Sequence, residues 1–218
     1  MFRVILYTQW KWSRLIVVLG SVAGFALPII SLQGAARPDA SPLTPGDLLH
    51  TVQSWGVLYP VLAATLGLLV ALATWAPDHR GRHVHALVLP LPRWRYVFLR
   101  FGAGMVLLAA PIVAVMAGAL LATWTATIPV GLQGYPGALA VRFALAALVA
   151  FAVFFAVSAG TARTAGIILA LIGGVLLVQV LAQAARVDLD LVGTLQLVVL
   201  NWPGPLAIFT GRWMLIDV

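Results

Sequence analysis

Residues 101–123 read FGAGMVLLAAPIVAVMAGALLAT, 23 positions without a single charge. As an α-helix this stretch is about 34 Å long, enough to cross the hydrocarbon core of a bilayer. Four more runs of the same kind lie around it. Residues 15–32 and 55–76 precede it, and residues 138–158 and 165–185 follow it. Composition excludes a soluble alternative: 62% of the 218 residues are hydrophobic, 9% are charged, and the mean hydropathy is +1.05. A water-facing surface needs about a quarter charged residues. The expected fold is therefore an all-α polytopic membrane helix bundle, forming one transmembrane domain over residues 1–218.

The ends of the chain differ from the spans. Residues 1–14, MFRVILYTQWKWSR, mix aromatic and basic side chains. This composition suits the headgroup layer, and it predicts a short interfacial helix anchored by Trp10, Lys11, Trp12 and Arg14. Pro28 is expected to kink the first span, and residues 33–53 read as an ordered or partly helical loop. Near the other end, residues 191–200 give only ten apolar positions before Asn201-Trp202-Pro203-Gly204-Pro205. A helix of that length reaches about 15 Å, half the hydrocarbon thickness. The expectation for residues 191–212 is a short outer-side helical segment, interrupted, where a sixth span would come. Val218 then lies on the outer side after five spans.

Charge distribution orients the chain. With the N-terminus inside, Arg3, Lys11, Arg14, Arg80, Arg82, Arg93, Arg95, Arg100 and Arg163 are cytoplasmic, and Arg37, Arg142 and Arg186 are outside. The positive-inside rule selects that arrangement, in the cell inner (plasma) membrane. The net charge of +7 is then a property of cytoplasmic loops and headgroup contacts rather than of nucleic-acid binding. The chain has no cysteine, so disulfides and thiolate metal sites are excluded.

The most charged segment lies between the second and third spans. Residues 78–100 read DHRGRHVHALVLPLPRWRYVFLR. Asp78, following Pro77, is read as the N-cap of a short helix over residues 79–88. Pro90 and Pro92 end it, since each lacks an N–H and disfavours helix in the residue before it. Arg93 and Arg95 precede the next span, and Arg100 is expected to snorkel to the headgroups as a further anchor. His79 and His83 stand one helical turn apart, but without a neighbouring Glu or Cys they read as solvated or partner-facing residues, and no metal is expected. Arg142 reads as an outer headgroup contact and Asp188 and Asp190 as loop residues. Gly102, Gly104, Gly173 and Gly174 read as small-residue packing surfaces.

The order of residues in this segment resembles that of the exporter-type ABC transporter permeases. Asp78 stands for the family's acidic residue, Gly81 for its glycine, and Leu87 and Leu89 for its leucines. Pro90, Pro92 and Arg93 match its proline–arginine turn, and Arg100 its closing basic residue. Asp78 in place of glutamate, Arg82 in place of threonine, and Pro92 in place of serine or threonine are departures. The resemblance implies that residues 77–92 form a coupling helix and turn that dock on a separate ATPase subunit. Asp78, Gly81, Leu87, Leu89, Pro90, Pro92 and Arg93 would be the partner-binding residues. It also implies a six-helix permease fold and a second permease subunit, identical or related.

No nucleotide-binding glycine loop is present, so ATP and Mg are expected in the partner and no cofactor on this chain. No catalytic carboxylate pair, His cluster or Ser/His arrangement lies at matching depth, and the chain does not read as an enzyme. No Asp, Lys or His falls mid-span, which argues against proton coupling. The competing reading is a non-transporting structural or accessory subunit of a larger membrane complex.

Overall fold

The computed structural model describes residues 1–33, 45–80, 92–126, 131–159, 174, 178, 206–210, 213 and 215–217. They divide into two compact units, Met1–Phe155 with Arg212–Val218, and Ala156–Gly211. In the first unit the order is α1 (Phe2–Gln33), α2 (Pro45–Gly56), α3 (Leu58–Arg80), α4 (Arg93–Thr125), β1 (Gln133–Gly134), α5 (Pro136–Ala159) and β2 (Ile216–Asp217). The last residues of α5 fall in the second unit. Otherwise the second unit's described residues are Gly174 and Val178, both helical, and a 3-10 turn at Ala207–Phe209 closed by Thr210 Oγ1 donating to the Ala207 carbonyl at 2.9 Å.

Among the described residues, four helices are long and apolar enough to cross a membrane: α1, α3, α4 and α5. The expected fifth span, residues 165–185, lies outside the described residues apart from those two positions, as do residues 191–200. No continuous sixth helix reaches Trp213, because residues 207–209 form a 3-10 turn and Trp213 itself is not helical.

α1 is inside-out by the standard of a soluble helix. Its buried residues include Gln9, Ser13, Val17, Gly20, Gly24, Pro28 and Ser31, a small and polar row at helical spacing. Val4, Leu15, Val18, Leu19 and Val22 on the same helix are exposed. Lipid asks for that pattern, since tails are as apolar as leucine and association rests on close packing and buried polar contacts. Hydroxyls on the spans are satisfied within their own helices: Ser13 donates to the Gln9 carbonyl (2.8 Å), Ser21 to Val17 (2.7 Å) and Thr74 to Val70 (2.8 Å).

The small residues set the helix crossings. α1 makes its most extensive contact with α4. A Cβ added at Gly118 would strike the Phe25 backbone, and one at Gly24 would lie 2.9 Å from Val115 Cγ2. A Cβ at Gly67 of α3 would lie 2.6 Å from the Phe151 nitrogen of α5. Gly104 packs on the Phe151 ring, as expected of a small-residue surface. The pairings Gly24–Val115, Ser31–Tyr59 and Trp75–Phe155 show that α1 and α4 run one way, and α3 and α5 the other.

Three expectations need correction. Residues 1–14 are not a separate interfacial element, because α1 is continuous from Phe2 to Gln33. No glycine or proline interrupts it before Gly20. At about 48 Å it exceeds the hydrocarbon thickness by roughly a dozen residues, so one rod supplies both the headgroup-level turns and the crossing. Trp10, Lys11, Trp12 and Arg14 are exposed on those turns.

Asp78 does not cap a new helix. α3 runs through Pro77 and Asp78 to Arg80. Pro77 forfeits one N–H without ending the helix, a break that membrane helices tolerate when neighbours compensate. The third correction concerns Arg100. It is 5% exposed and does not snorkel. A protein acceptor within reach outcompetes the headgroups.

Candidate functional site: a buried arginine junction

Arg100 lies two turns into α4, past the segment that the sequence singled out. Pro92, extended at φ −60° and ψ 136°, sets the start of that helix. With no side-chain cap, the Pro92 carbonyl accepts the N–H groups of Arg95 (3.0 Å) and Tyr96 (3.3 Å) and closes the first turn. Arg93 is the first residue of α4, and Pro92 is exposed.

The Arg100 guanidinium donates from Nη1 to the Thr74 carbonyl of α3 at 2.7 Å. Its Cζ lies 5.2 Å from the Trp75 ring centroid and 4.9 Å from that of Tyr96. Pro77 offers no N–H to the Ala73 carbonyl, so the α3 ladder is already opened in this turn. Arg100 donates not to that carbonyl but to the next one in the same turn. The main chain of Arg100 is engaged as well: Gln9 of α1 donates from Nε2 to its carbonyl at 3.1 Å. Gln9 is 2% exposed, and its Oε1 has no hydrogen-bond partner among the described residues.

Beneath the guanidinium sits a wall of rings. Trp75 donates from Nε1 to the Phe155 carbonyl at 3.1 Å, and the two rings are 5.1 Å apart. Phe101 stands 5.2 Å from Phe151 and 5.3 Å from Phe155. Arg100 is almost fully buried here, and a low-dielectric site strengthens each polar contact in it. Four helices thus meet at one side chain or its immediate neighbours: α1 through Gln9, α3 through Thr74 and Trp75, α4 through Arg100 and Tyr96, and α5 through Phe155. The junction supplies a fixed cation, carbonyl acceptors and ring faces, chemistry suited to holding helices in register.

Of the expected partner-binding residues, the structure places Asp78 in the last turn of α3, Pro92 at the α4 cap and Arg93 at the α4 start. Gly81, Leu87, Leu89 and Pro90 lie outside the described residues. Trp94 and Arg95 add an exposed headgroup-type pair, with the Arg95 Cζ 5.2 Å from the Trp94 ring centroid. Gln9, Thr74, Trp75 and Tyr96 were not singled out from the sequence. Gln9 and Ser13 did carry a signal there: with Val17 and Gly20 they fall at helical spacing on one face, away from Arg3, Lys11 and Arg14.

Comparison with known proteins returns no match: no family model, no curated protein and no solved structure.

Proposed function

We propose that this chain is the membrane-spanning permease subunit of an ABC-type exporter, working by alternating access and driven by a separate ATPase subunit. The observation that carries the reading is the Arg100 junction. It ties α1, α3, α4 and α5 together at the end of the bundle where α3 finishes at Arg80 and α4 begins at Arg93. A rigid-body push on residues 77–92 would reach four helices at once through packed side chains and backbone contacts. The order Asp78, Gly81, Leu87, Leu89, Pro90, Pro92, Arg93 adds the resemblance to a coupling helix.

The reading includes five spans, a cytoplasmic N-terminus in the plasma membrane, and pairing with a second permease subunit around the substrate path. Chain continuity supports the fifth span. Phe155, where the chain leaves the first unit, sits with Trp75, whereas Trp213, after its return, sits under Arg142. Along α5, Arg142 and Phe155 are about 20 Å apart. A single further crossing by residues 165–185 supplies that displacement.

Co-expression with an ABC-type ATPase from a neighbouring reading frame tests the reading, and the lack of any such frame would favour the accessory-subunit reading. The ATPase is expected to co-purify with the wild-type chain, and Pro90→Ala/Pro92→Ala to lower its recovery at least threefold at unchanged membrane levels. Full recovery and normal stimulation of the ATPase by that variant would remove the coupling role. No ATPase with the wild-type chain would favour the accessory-subunit reading.

A further inference from the structure

At the opposite end of the bundle a second Arg–Trp pair is built in a different way. Trp213 is 4% exposed, although it belongs to no helix. Its ring lies nearly parallel to that of Tyr59 in α3, with centroids 6.4 Å apart and planes 8° from parallel. The Arg142 Cζ of α5 stands 4.7 Å from the Trp213 ring centroid. The Trp213 main chain passes so close to α2 that a Cβ on Gly56 would lie 2.5 Å from its carbonyl oxygen.

Leu215 and Ile216 are fully buried. The Leu215 carbonyl accepts the Tyr135 N–H at 2.8 Å, and β2 pairs antiparallel with β1 in the register Gln133↔Asp217 and Gly134↔Ile216. Gly131, at φ 99°, supplies the left-handed turn that brings β1 into place. Behind Tyr59, its hydroxyl lies 3.5 Å from Ser31 Oγ of α1, and Ser31 has no exposed surface.

We propose that Trp213, Leu215, Ile216 and Asp217 form a releasable strap that locks this end of the bundle. Trp213 is its pin, and the Arg142 guanidinium the clasp over the pin. The strap joins what the helices leave separate: it contacts α2, α3, β1 and α5, and through Tyr59 it backs the end of α1. It is built to let go. Among the described residues its ladder is two residues long, where the helices it fastens run for 23 residues or more, α2 excepted. The Trp213 Nε1–H is buried without an acceptor among the described residues, a donor that regains a partner when the strap lifts into the interface. A short ladder and an unmet donor each lower the cost of release, against the burial of Trp213, Leu215 and Ile216 that holds the strap closed. Such a balance is what a conformational device at the end of a bundle requires. The strap does not depend on the permease reading; it is a property of the fold.

The natural absence of cysteine makes the test direct. Ser31→Cys is nearly isosteric and places the sole thiol behind Tyr59 and Trp213. In nanodiscs its maleimide labelling is expected to be at least tenfold slower than that of Gln133→Cys, an exposed position. Adding Trp213→Ala or Arg142→Gln is expected to raise the Ser31→Cys rate at least fivefold, with the thermal profile of each variant confirming a folded bundle. Arg142→Gln leaves the strand and the ring in place, so it decides the matter if Trp213→Ala does not fold. A rate unchanged by the folded variants, or a parent rate equal to that of Gln133→Cys, overturns the strap. Separately, Gln133→Cys/Asp217→Cys is expected to form a disulfide on mild oxidation, since paired positions of an antiparallel ladder fall within bridging distance. Failure to cross-link overturns the pairing on which the strap rests.

Discussion

The two ends of this bundle each set an arginine over a tryptophan ring, 5.2 Å away at Arg100 and 4.7 Å at Arg142, and the resemblance stops there. Arg100 is 5% exposed, donates to a main-chain carbonyl, and its partners Thr74, Trp75 and Tyr96 are all helical. Arg142 is half-buried, and the ring beneath it belongs to a strap held by a two-residue ladder. A cation–π contact contributes about 0.5–1 kcal/mol when exposed and about 2 kcal/mol when desolvated, which already favours the Arg100 end. What differs more is the cost of undoing it. Separating Arg100 from Trp75 means moving whole helices, whereas separating Arg142 from Trp213 moves a few residues. One chemical pair therefore makes a fixed joint at one end and a latch at the other.

The largest expected effect tests that contrast. Arg100→Ala removes a buried hydrogen bond, two ring contacts and the volume between Trp75 and Tyr96. By analogy with other large-to-small changes in packed sites it costs roughly 2–4 kcal/mol. Arg142→Ala, at a half-exposed position, costs about 1 kcal/mol or less. Thermal unfolding in one detergent measures both. Equal losses at the two ends would erase the distinction between joint and latch. Arg100→Met sharpens the result, because it restores volume without charge: recovery close to wild type would make the junction a packing feature alone.

An intermediate effect is expected between the ends, where α1 and α4 act as one rod only if their backbones stay close. Gly118→Leu drives a side chain into the Phe25 backbone, which has no flexible end to yield. Overpacking of this kind costs about 1–3 kcal/mol. Gly137→Ala is the control, since a Cβ there meets nothing within 4 Å. A tolerated Gly118→Leu would show that the two ends are not rigidly linked, and that the joint cannot pass displacement along the bundle.

How much of this was legible in the sequence follows from which physical signals are local. Four of the five expected spans are seen among the described residues. They were legible because bilayer thickness imposes a run length, which residues 101–123 satisfy without help from the rest of the chain. The continuity of α1 was hidden by composition: Trp10, Lys11, Trp12 and Arg14 suit a headgroup layer whether the helix lies flat or crosses it. The fate of Arg100 was not local at all. Its acceptor, the Thr74 carbonyl, is 26 residues away, and its ring partner Trp75 looks like an interfacial tryptophan. The strap was the least legible element, because Ile216–Asp217 has no pattern of its own and its meaning comes from Gln133–Gly134. Gln9 is the exception that could have been read, from its spacing to Ser13, Val17 and Gly20 on one face.

Gln9 also carries the smallest expected effect, and the one most specific to how the joint is held. Its Nε2 donates to the Arg100 carbonyl at 3.1 Å, while its Oε1 is buried with no hydrogen-bond partner among the described residues. The gain and the cost therefore sit on the same amide. A buried hydrogen bond is worth about 1 kcal/mol net, and membrane cases average nearer 0.6. An unmet buried acceptor costs about 1–3 kcal/mol. Gln9→Met keeps the length and most of the volume, and deletes both terms together. The expected change in stability is within about 0.5 kcal/mol of wild type, or slightly favourable, measured in the same detergent as the arginine variants. Gln9→Ala, by contrast, opens a cavity against α4 and is expected to cost about 1–2 kcal/mol. A Gln9→Met loss as large as that of Gln9→Ala would mean that the amide, and not the volume, fastens α1 to the junction. The joint would then rest on a hydrogen-bonded network running from α1 through the Arg100 main chain to α3, rather than on the packed rings beneath it.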